Sequence, residues 1–415
     1  MTSEARTTDG RHHSAPAQAP ARDTPAFPFR QPDPCTPPAE YRRLSRAEPV
    51  SRVLLPTGDH AWLATSHAAV RAVLTDERFS RQALTGPDAP RLAPVPPTPS
   101  LFYLDPPVHT RLRRLAGPAF AAERVERLRP RITRVVEDHL AELAARPRPA
   151  DLLATLARPV PLAVLGAILG VPVERYDEFA GWTRTVMNFT APPDAQREAA
   201  GALHAFLADT VHRYRTEPPD DVLGDLVAAT DGVDRLADEE ILALVFDLLG
   251  AGDQPVTAEL VHAVLNLLRD PDRLRLLHDE PDLVPTAVEE LLRCSQSAGG
   301  GLGSVRIAGA AVAVDGADIA PGDPAVPSLN AANLDESVFP DGRRLDLRRT
   351  PNPHLAFGDG PHLCIGAAVG RIELAAVVGG LARRFPTLRL AVPEADLAWL
   401  PVPAFRTPAE LPVHW

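Results

Sequence analysis

The stretch His354-Leu355-Ala356-Phe357-Gly358-Asp359-Gly360-Pro361-His362-Leu363-Cys364-Ile365-Gly366 runs directly into an apolar, helix-patterned segment at 365–384. Glycines at 358, 360 and 366 let the backbone turn tightly and aim N–H groups at the Cys364 sulfur. The helix that follows sets its positive N-terminal end beside that sulfur. Phe357, seven residues upstream, is placed to shield one face of the sulfur from water. A thiolate serving as an axial ligand to iron needs this setting: exposure on a rigid loop and stabilisation as the anion. A lone cysteine in a glycine-rich turn would read as a buried structural residue. Here the aromatic, the glycines, the histidine and the cysteine share one register, which favours the ligand.

The chain around this loop has 415 residues, 45% hydrophobic and 23% charged, enough for a sizeable core and incompatible with wholesale disorder. Its 46 prolines are about twice the ordinary ~5% share. Acidic residues outnumber basic ones 54 to 43, and the net charge of −11 argues against a general nucleic-acid binder. All 43 basic residues are arginine. Without lysine there is neither a Schiff-base nucleophile nor a Walker-type phosphate loop. Cys35, Cys294 and Cys364 lack paired spacing, so neither a disulfide framework nor a zinc ribbon is expected. The longest apolar run, 159–173, contains three prolines and falls short of the ~20 residues a bilayer requires. Residues 1–24 lack the apolar stretch of a secretory signal. The expectation is a cytoplasmic protein without membrane or nucleic-acid contacts.

Residues 1–24 read as a disordered tail, and 25–415 as one large domain with no internal linker. The pattern at 49–65 is that of a hairpin around Pro56-Thr57-Gly58-Asp59. From about 66 to 295 apolar residues recur at helical spacing. Helices are expected at 68–74, 110–145 (with breaks at Pro118 and Pro130), 196–217, 238–269 and 282–293. A proline-rich stretch at 87–107 is poor in backbone donors and reads as a mobile loop. Extended pieces follow at 305–319 and 326–329. The fold class is mainly α with small β-sheets.

At the cysteine loop the chain resembles the cytochrome P450 family, haem-thiolate monooxygenases of the soluble bacterial type, and the resemblance extends from Phe27 to Trp415. It implies a single-domain cytochrome P450 fold, haem b as cofactor and Cys364 as the iron's axial ligand. Glu290-Leu291-Leu292-Arg293 looks like the family's Glu-x-x-Arg, with Glu290 and Arg293 on one helix face and able to form a charge-assisted network. The family's third member of that network, an arginine before the cysteine loop, is matched best by Arg344. His109 and Arg113, at i and i+4 after Asp105-Pro106-Pro107, share a face suited to grip a carboxylate pair. With Arg306 and His362 they match the family's propionate-binding positions.

The 238–269 helix resembles the family's oxygen-activating helix, but Ala251-Gly252-Asp253-Gln254-Pro255 departs from it. Gln254 holds the acid position and Pro255 the alcohol position. Pro255 has no N–H, so the Ala251 carbonyl loses its i+4 donor and the helix should bend there. Two readings stand: a plain structural kink, or an opened turn that admits oxygen and water. In the second, Thr257, Gln254 or ordered water would supply the proton path. Asp247, among apolar Phe246, Leu248 and Leu249, also reads two ways. It points sideways to an arginine on another helix, or it faces the pocket and binds a basic or hydroxylated substrate. Phe246, Asp247, Gly250, Ala251 and Leu302 are the expected pocket residues.

The implied reaction is reductive activation of O₂ at haem iron, an EC 1.14 monooxygenation of a small specialised metabolite, carried free or on a carrier or peptide. The chain carries no flavin domain, so electrons are expected from a ferredoxin or flavodoxin with its NAD(P)H-dependent reductase. Arg111 and Arg114 are candidate docking charges for that partner. A monomer is expected. An alternative keeps the haem but couples or dehydrogenates an aromatic or peptide substrate without inserting oxygen. A more distant one is a non-catalytic haem protein that binds a small ligand.

Overall fold

The structure is a computed structural model that describes residues 24–31, 33–90, 100–188, 191–297, 305–400 and 405–415. The expected tail, but for Thr24, and the expected pocket residue Leu302 lie outside the described residues, as does part of the proline-rich stretch. The helices, in chain order, are α1 (Ala39–Ala47), α2 (His67–Thr75), α3 (Val108–Ala116), α4 (Ala122–Ala145), α5 (Pro159–Ile168), α6 (Tyr176–Val186) and α7 (Pro193–Tyr214). They continue with α8 (Val222–Ala228), α9 (Asp238–Gly252), α10 (Gln254–Leu268), α11 (Pro271–Asp279), α12 (Val284–Cys294), α13 (Leu329–Ala332) and α14 (Ala367–Arg384). The strands are β1 (Val50–Leu54), β2 (His60–Ala64), β3 (Phe79–Ser80), β4 (Ala150–Asp151), β5 (Arg306–Ala308), β6 (Val312–Val314), β7 (Ala317–Ile319), β8 (Pro324–Pro327), β9 (Arg389–Leu390) and β10 (Pro412–His414).

The expected hairpin is present, with Val50 paired to Ala64 and Leu54 to His60. It is widened into a sheet of order β1-β2-β8-β5-β3, β8 running parallel to β2. A smaller sheet, β4-β10-β9, ties the C-terminal strand to the chain's middle. The sheet brings Arg306, on β5, beside the turn that follows β3.

The helical core forms around α4. Val125, Leu128, Ile132, Val136, Leu140 and Leu143 recur at three- and four-residue intervals and are all buried. Each such side chain contributes roughly 1.5–3 kcal/mol on burial. The stripe packs on α14 and α5. The expected break at Pro118 is real, since α3 ends at Ala116 and a tight turn spans Gly117–Phe120. The one expected at Pro130 does not occur: α4 runs through it. Ile132 and Val136 beyond the proline lie in phase with Val125 and Leu128 before it, and their burial outweighs one missing hydrogen bond.

The segment expected as one long helix is divided. Asp253, at φ −97° and ψ −83°, separates α9 from α10, and Pro255 falls in the first turn of α10, where a missing N–H costs least. By length and composition alone Asp238–Leu268 is apolar enough to cross a bilayer. In the fold its halves pack against α5, α12 and α14.

Candidate active site

Cys364 sits in a loop closed by its own amide, which donates to the Phe357 carbonyl at 2.9 Å. Gly358 and Gly360 adopt φ of +76° and +70°. At Gly360 a Cβ would also lie 2.7 Å from the Leu74 carbonyl, so the loop is pressed against the end of α2. Gly366 has φ −85° and needs no glycine conformation; its contribution is an N–H that bonds to the Cys364 sulfur. Asp359 accepts from Arg71 on α2 at 2.6 Å and pins the loop from the other side. The sulfur faces a cavity and is open to it. Its position deep below the protein surface pushes the thiol pKa up, while the Gly366 N–H, Arg113 and Arg371 pull it back toward the thiolate.

Behind the loop, Glu290 and Arg293 are fully buried and doubly bonded at 2.7 Å. Arg293 also donates to the carbonyls of Asn333 at 2.8 Å and Gly342 at 2.6 Å. The expected third member, Arg344, contributes only its backbone carbonyl, 3.3 Å from Arg293 Nη2. The side chain that completes the network is Arg349, whose Nε lies 3.1 Å from both Glu290 oxygens. Arg344 falls on the exposed side of a turn, whereas Arg349 returns inward after it. Glu289, which the sequence reading passed over, braces the cysteine loop. It accepts from His354 at 3.0 Å and from Arg371 of α14 at 2.8 Å, and these partners hold its carboxyl down at about 2. Arg371 in turn lies over the Phe357 ring, 4.5 Å from its centroid.

The cavity measures about 550 Å³, and Cys364, Phe357, His109, Arg113, Arg306 and His362 all line it. Arg81 lines it too. No spacing in Phe79-Ser80-Arg81-Gln82 marks that residue; only the sheet, which sets the end of β3 against β5, reveals it. These groups press on one another. Burial and the nearby arginines lower His362 to about 2 and His109 to about 4. Burial lowers Arg306 to about 10 and Arg81 well below its usual value. The two imidazole rings are 4.2 Å apart, and the buried His109 Nε2 has no hydrogen-bond partner among the described residues. A group bearing two carboxylates would relieve this crowding and satisfy that nitrogen. The residues therefore fit haem, with an open thiol for its iron and cations for its propionates.

Across the cavity lie Phe246, Asp247, Gly250, Ala251 and Pro255. Gln254 and Thr257 do not line it. The Gln254 amide is turned away and donates to the Met187 carbonyl at 2.9 Å, and Thr257 is buried within α10 with its N–H on the Asp253 carbonyl. The break in the helix rotates both off the cavity face. Asp247 faces the cavity, as the second expectation had it, and not an arginine on another helix. It bonds no arginine; its Oδ2 accepts the Leu101 N–H at 3.0 Å. At the break, burial raises Asp253 to about 6 against the pull of Arg184 and Arg158. Burial and the charge of Asp253 raise Glu373 of α14 to about 8. Neither acid was marked by spacing. Arg111 and Arg114, expected as docking charges, are held within the molecule: Arg111 by Asp234 at 2.6 Å and Glu240, Arg114 by Asp231.

A mainly helical fold whose buried cavity carries an open thiol and a crowd of cations is the architecture of a haem-thiolate protein. The family model "Cytochrome P450" matches residues 194–390. The mycinamicin IV hydroxylase/epoxidase of Micromonospora griseorubida is 41% identical over 94% of this chain and 98% of its own length. The nocardicin C N-oxygenase of Nocardia uniformis subsp. tsuyamanensis is 42% identical over 95% of this chain and 99% of its own. The solved structure of the mixed-function P450 MycG superposes with a TM-score of 0.90 at 40% identity, covering 95% of this chain and all of that one. The chain belongs to the cytochrome P450 family. It is a single-domain P450 fold, and the family's cofactor is haem with an axial cysteine thiolate. Its class is that of the monooxygenases.

Proposed function

We propose that Cys364 is the axial ligand and that Arg81, His109, Arg113, Arg306 and His362 hold the haem carboxylates. The observation that carries this is their convergence with the open thiol on the walls of one cavity. When bound, haem supplies reductive activation of O₂, one oxygen atom entering the substrate and the other leaving as water with two electrons and two protons. Arg371, which lies over the Phe357 ring, and the Gly366 N–H stabilise the negative charge of the sulfur. On the opposite wall the Ala251 carbonyl, deprived of the Pro255 N–H, accepts from a water or a substrate hydroxyl. Gln254 and Thr257 have no part in this, because they point elsewhere.

The substrate is a small specialised metabolite of largely apolar character, consistent with the lining of Phe246, Leu244, Leu248 and Phe405. The related mycinamicin and nocardicin oxygenases support this class. Electrons come from a ferredoxin or flavodoxin with its NAD(P)H-dependent reductase, in the cytoplasm. Replacing Cys364 by serine tests the assignment. The variant should fold yet lose the strongly red-shifted ferrous–CO Soret band of the wild type, and persistence of that band would refute the ligand. Incorporation of ¹⁸O₂ into product distinguishes insertion from coupling.

A further inference from the structure

We propose that Asp247 is a positioning residue that fixes the turn Ser100–Leu104 as one wall of the cavity and so governs which molecules reach the Cys364 side. The turn is a single helical one: the Tyr103 and Leu104 amides both donate to the Ser100 carbonyl at 2.8 Å. Like the start of any helix, it leaves its first amides, those of Leu101 and Phe102, without an acceptor from a preceding turn. Asp247, 146 residues away on α9, supplies one. Its Oδ2 takes the Leu101 N–H at 3.0 Å, while the Phe102 N–H donates to the Ser100 hydroxyl at 3.3 Å, and that hydroxyl is set against the Asp247 carboxylate. This is an N-cap contributed by a different element of the fold.

The turn is held from its other side as well. Arg81 stacks on the Phe102 ring at 3.4 Å and lies 5.3 Å from Tyr103, while itself lining the cavity among the cations. Ser100, Leu101, Phe102 and Tyr103 all line that cavity. The wall thus spans the space between α9 and the cation cluster, and Asp247 is its anchor on the α9 side. An acid among Phe246, Leu248 and Leu249, with no cation among the described residues acting on its carboxyl, is explained by the Leu101 amide and the Ser100 hydroxyl, two donors that a carboxylate accepts together. An asparagine would offer one acceptor oxygen and turn an NH₂ toward the remaining donor.

The inference rests on the cavity being the haem and substrate chamber, but its primary readout does not. Amide hydrogen exchange across residues 101–104 is measured in haem-loaded wild type, Asp247→Ala, Asp247→Asn and Ser100→Ala, together with stopped-flow binding of imidazole and of the bulkier 4-phenylimidazole. Asp247→Ala should speed exchange in this turn about tenfold and raise both association and dissociation rates of 4-phenylimidazole several-fold, with imidazole little changed. Asp247→Asn should recover part of the protection, and Ser100→Ala should lie between it and wild type. Unchanged exchange in Asp247→Ala overturns the proposal. So does an asparagine variant whose exchange matches alanine, which would mean that the charge rather than the cap is what counts. If the alanine variant fails to load haem, the asparagine and serine variants decide by the same readouts. A wild type that shows no azole-induced spectral shift would refute the haem assignment and leave the exchange test standing.

Discussion

At Glu290 one fully buried carboxylate accepts from Arg293, Arg349, Asn352 and the Asp346 amide. Removing it strands Arg293, itself without solvent contact, beside an uncompensated partner, at a cost on the order of 3–5 kcal/mol. Glu290→Ala should therefore give little soluble, haem-loaded protein; normal yield and haem content would show the network to be dispensable. The same logic separates the two arginines. Arg349→Ala should lower the urea midpoint clearly, whereas Arg344→Ala, whose side chain bonds nothing in the network, should change stability by no more than about 0.5 kcal/mol. Helical spacing made the Glu290–Arg293 pair legible in the sequence, because i and i+3 must share a face. The third arginine was not legible. Residues 343–349 form no regular element, and nothing periodic distinguishes Arg343, Arg344, Arg348 and Arg349.

Among the elements, the α9–α10 junction is where the helix expected to run unbroken is divided. The proline announced a bend, and a bend is there, but the consequence for side chains was invisible in the sequence. A break at Asp253 swings Gln254 toward Met187 and leaves Thr257 buried. Pro255→Thr restores an N–H able to reach the Ala251 carbonyl and would straighten the junction. It should not improve coupling, because the carbonyl we propose as an acceptor for water is then occupied. The measurement is peroxide released per NAD(P)H consumed with a surrogate ferredoxin system. A lower ratio in the variant would show the proline to be a defect. Asp247 teaches the same lesson from the other direction. Its apolar neighbours marked it as anomalous, yet it is met by the Leu101 backbone amide, 146 residues away, which no residue pattern reveals.

For the molecule as a whole, acid sensitivity should have an identifiable source. His262 on α10 is fully buried with its Nε2 against the Arg406 carbonyl, and burial lowers it from 6.5 to about 3. The unfolded chain takes up a proton there near pH 6.5, while the folded chain stays neutral until about 3. Stability is thus intact above pH 6.5 and falls as pH drops through that window, by at most about 1.4 kcal/mol per unit. Between pH 7 and 5 this one residue should account for about 2 kcal/mol. Urea unfolding of wild type and His262→Gln at both pH values checks it: the variant should lose less on acidification, and equal losses would assign the sensitivity to other groups. The helical class and the cysteine loop could be read from the chain alone, since both depend on local period and register. The cation cluster could be read only in part, because Arg81 reaches it through a sheet pairing more than two hundred residues apart in sequence.

The cysteine loop is not a self-contained module. Gly360 lies against the Leu74 carbonyl, Asp359 is tied to Arg71, and both partners belong to α2. Any chimaera that imports this loop from a relative, or exports it to one, must move α2 along with it. A loop transplanted by itself would meet a foreign backbone at its tightest contact, and the donor's thiol environment would not survive the transfer.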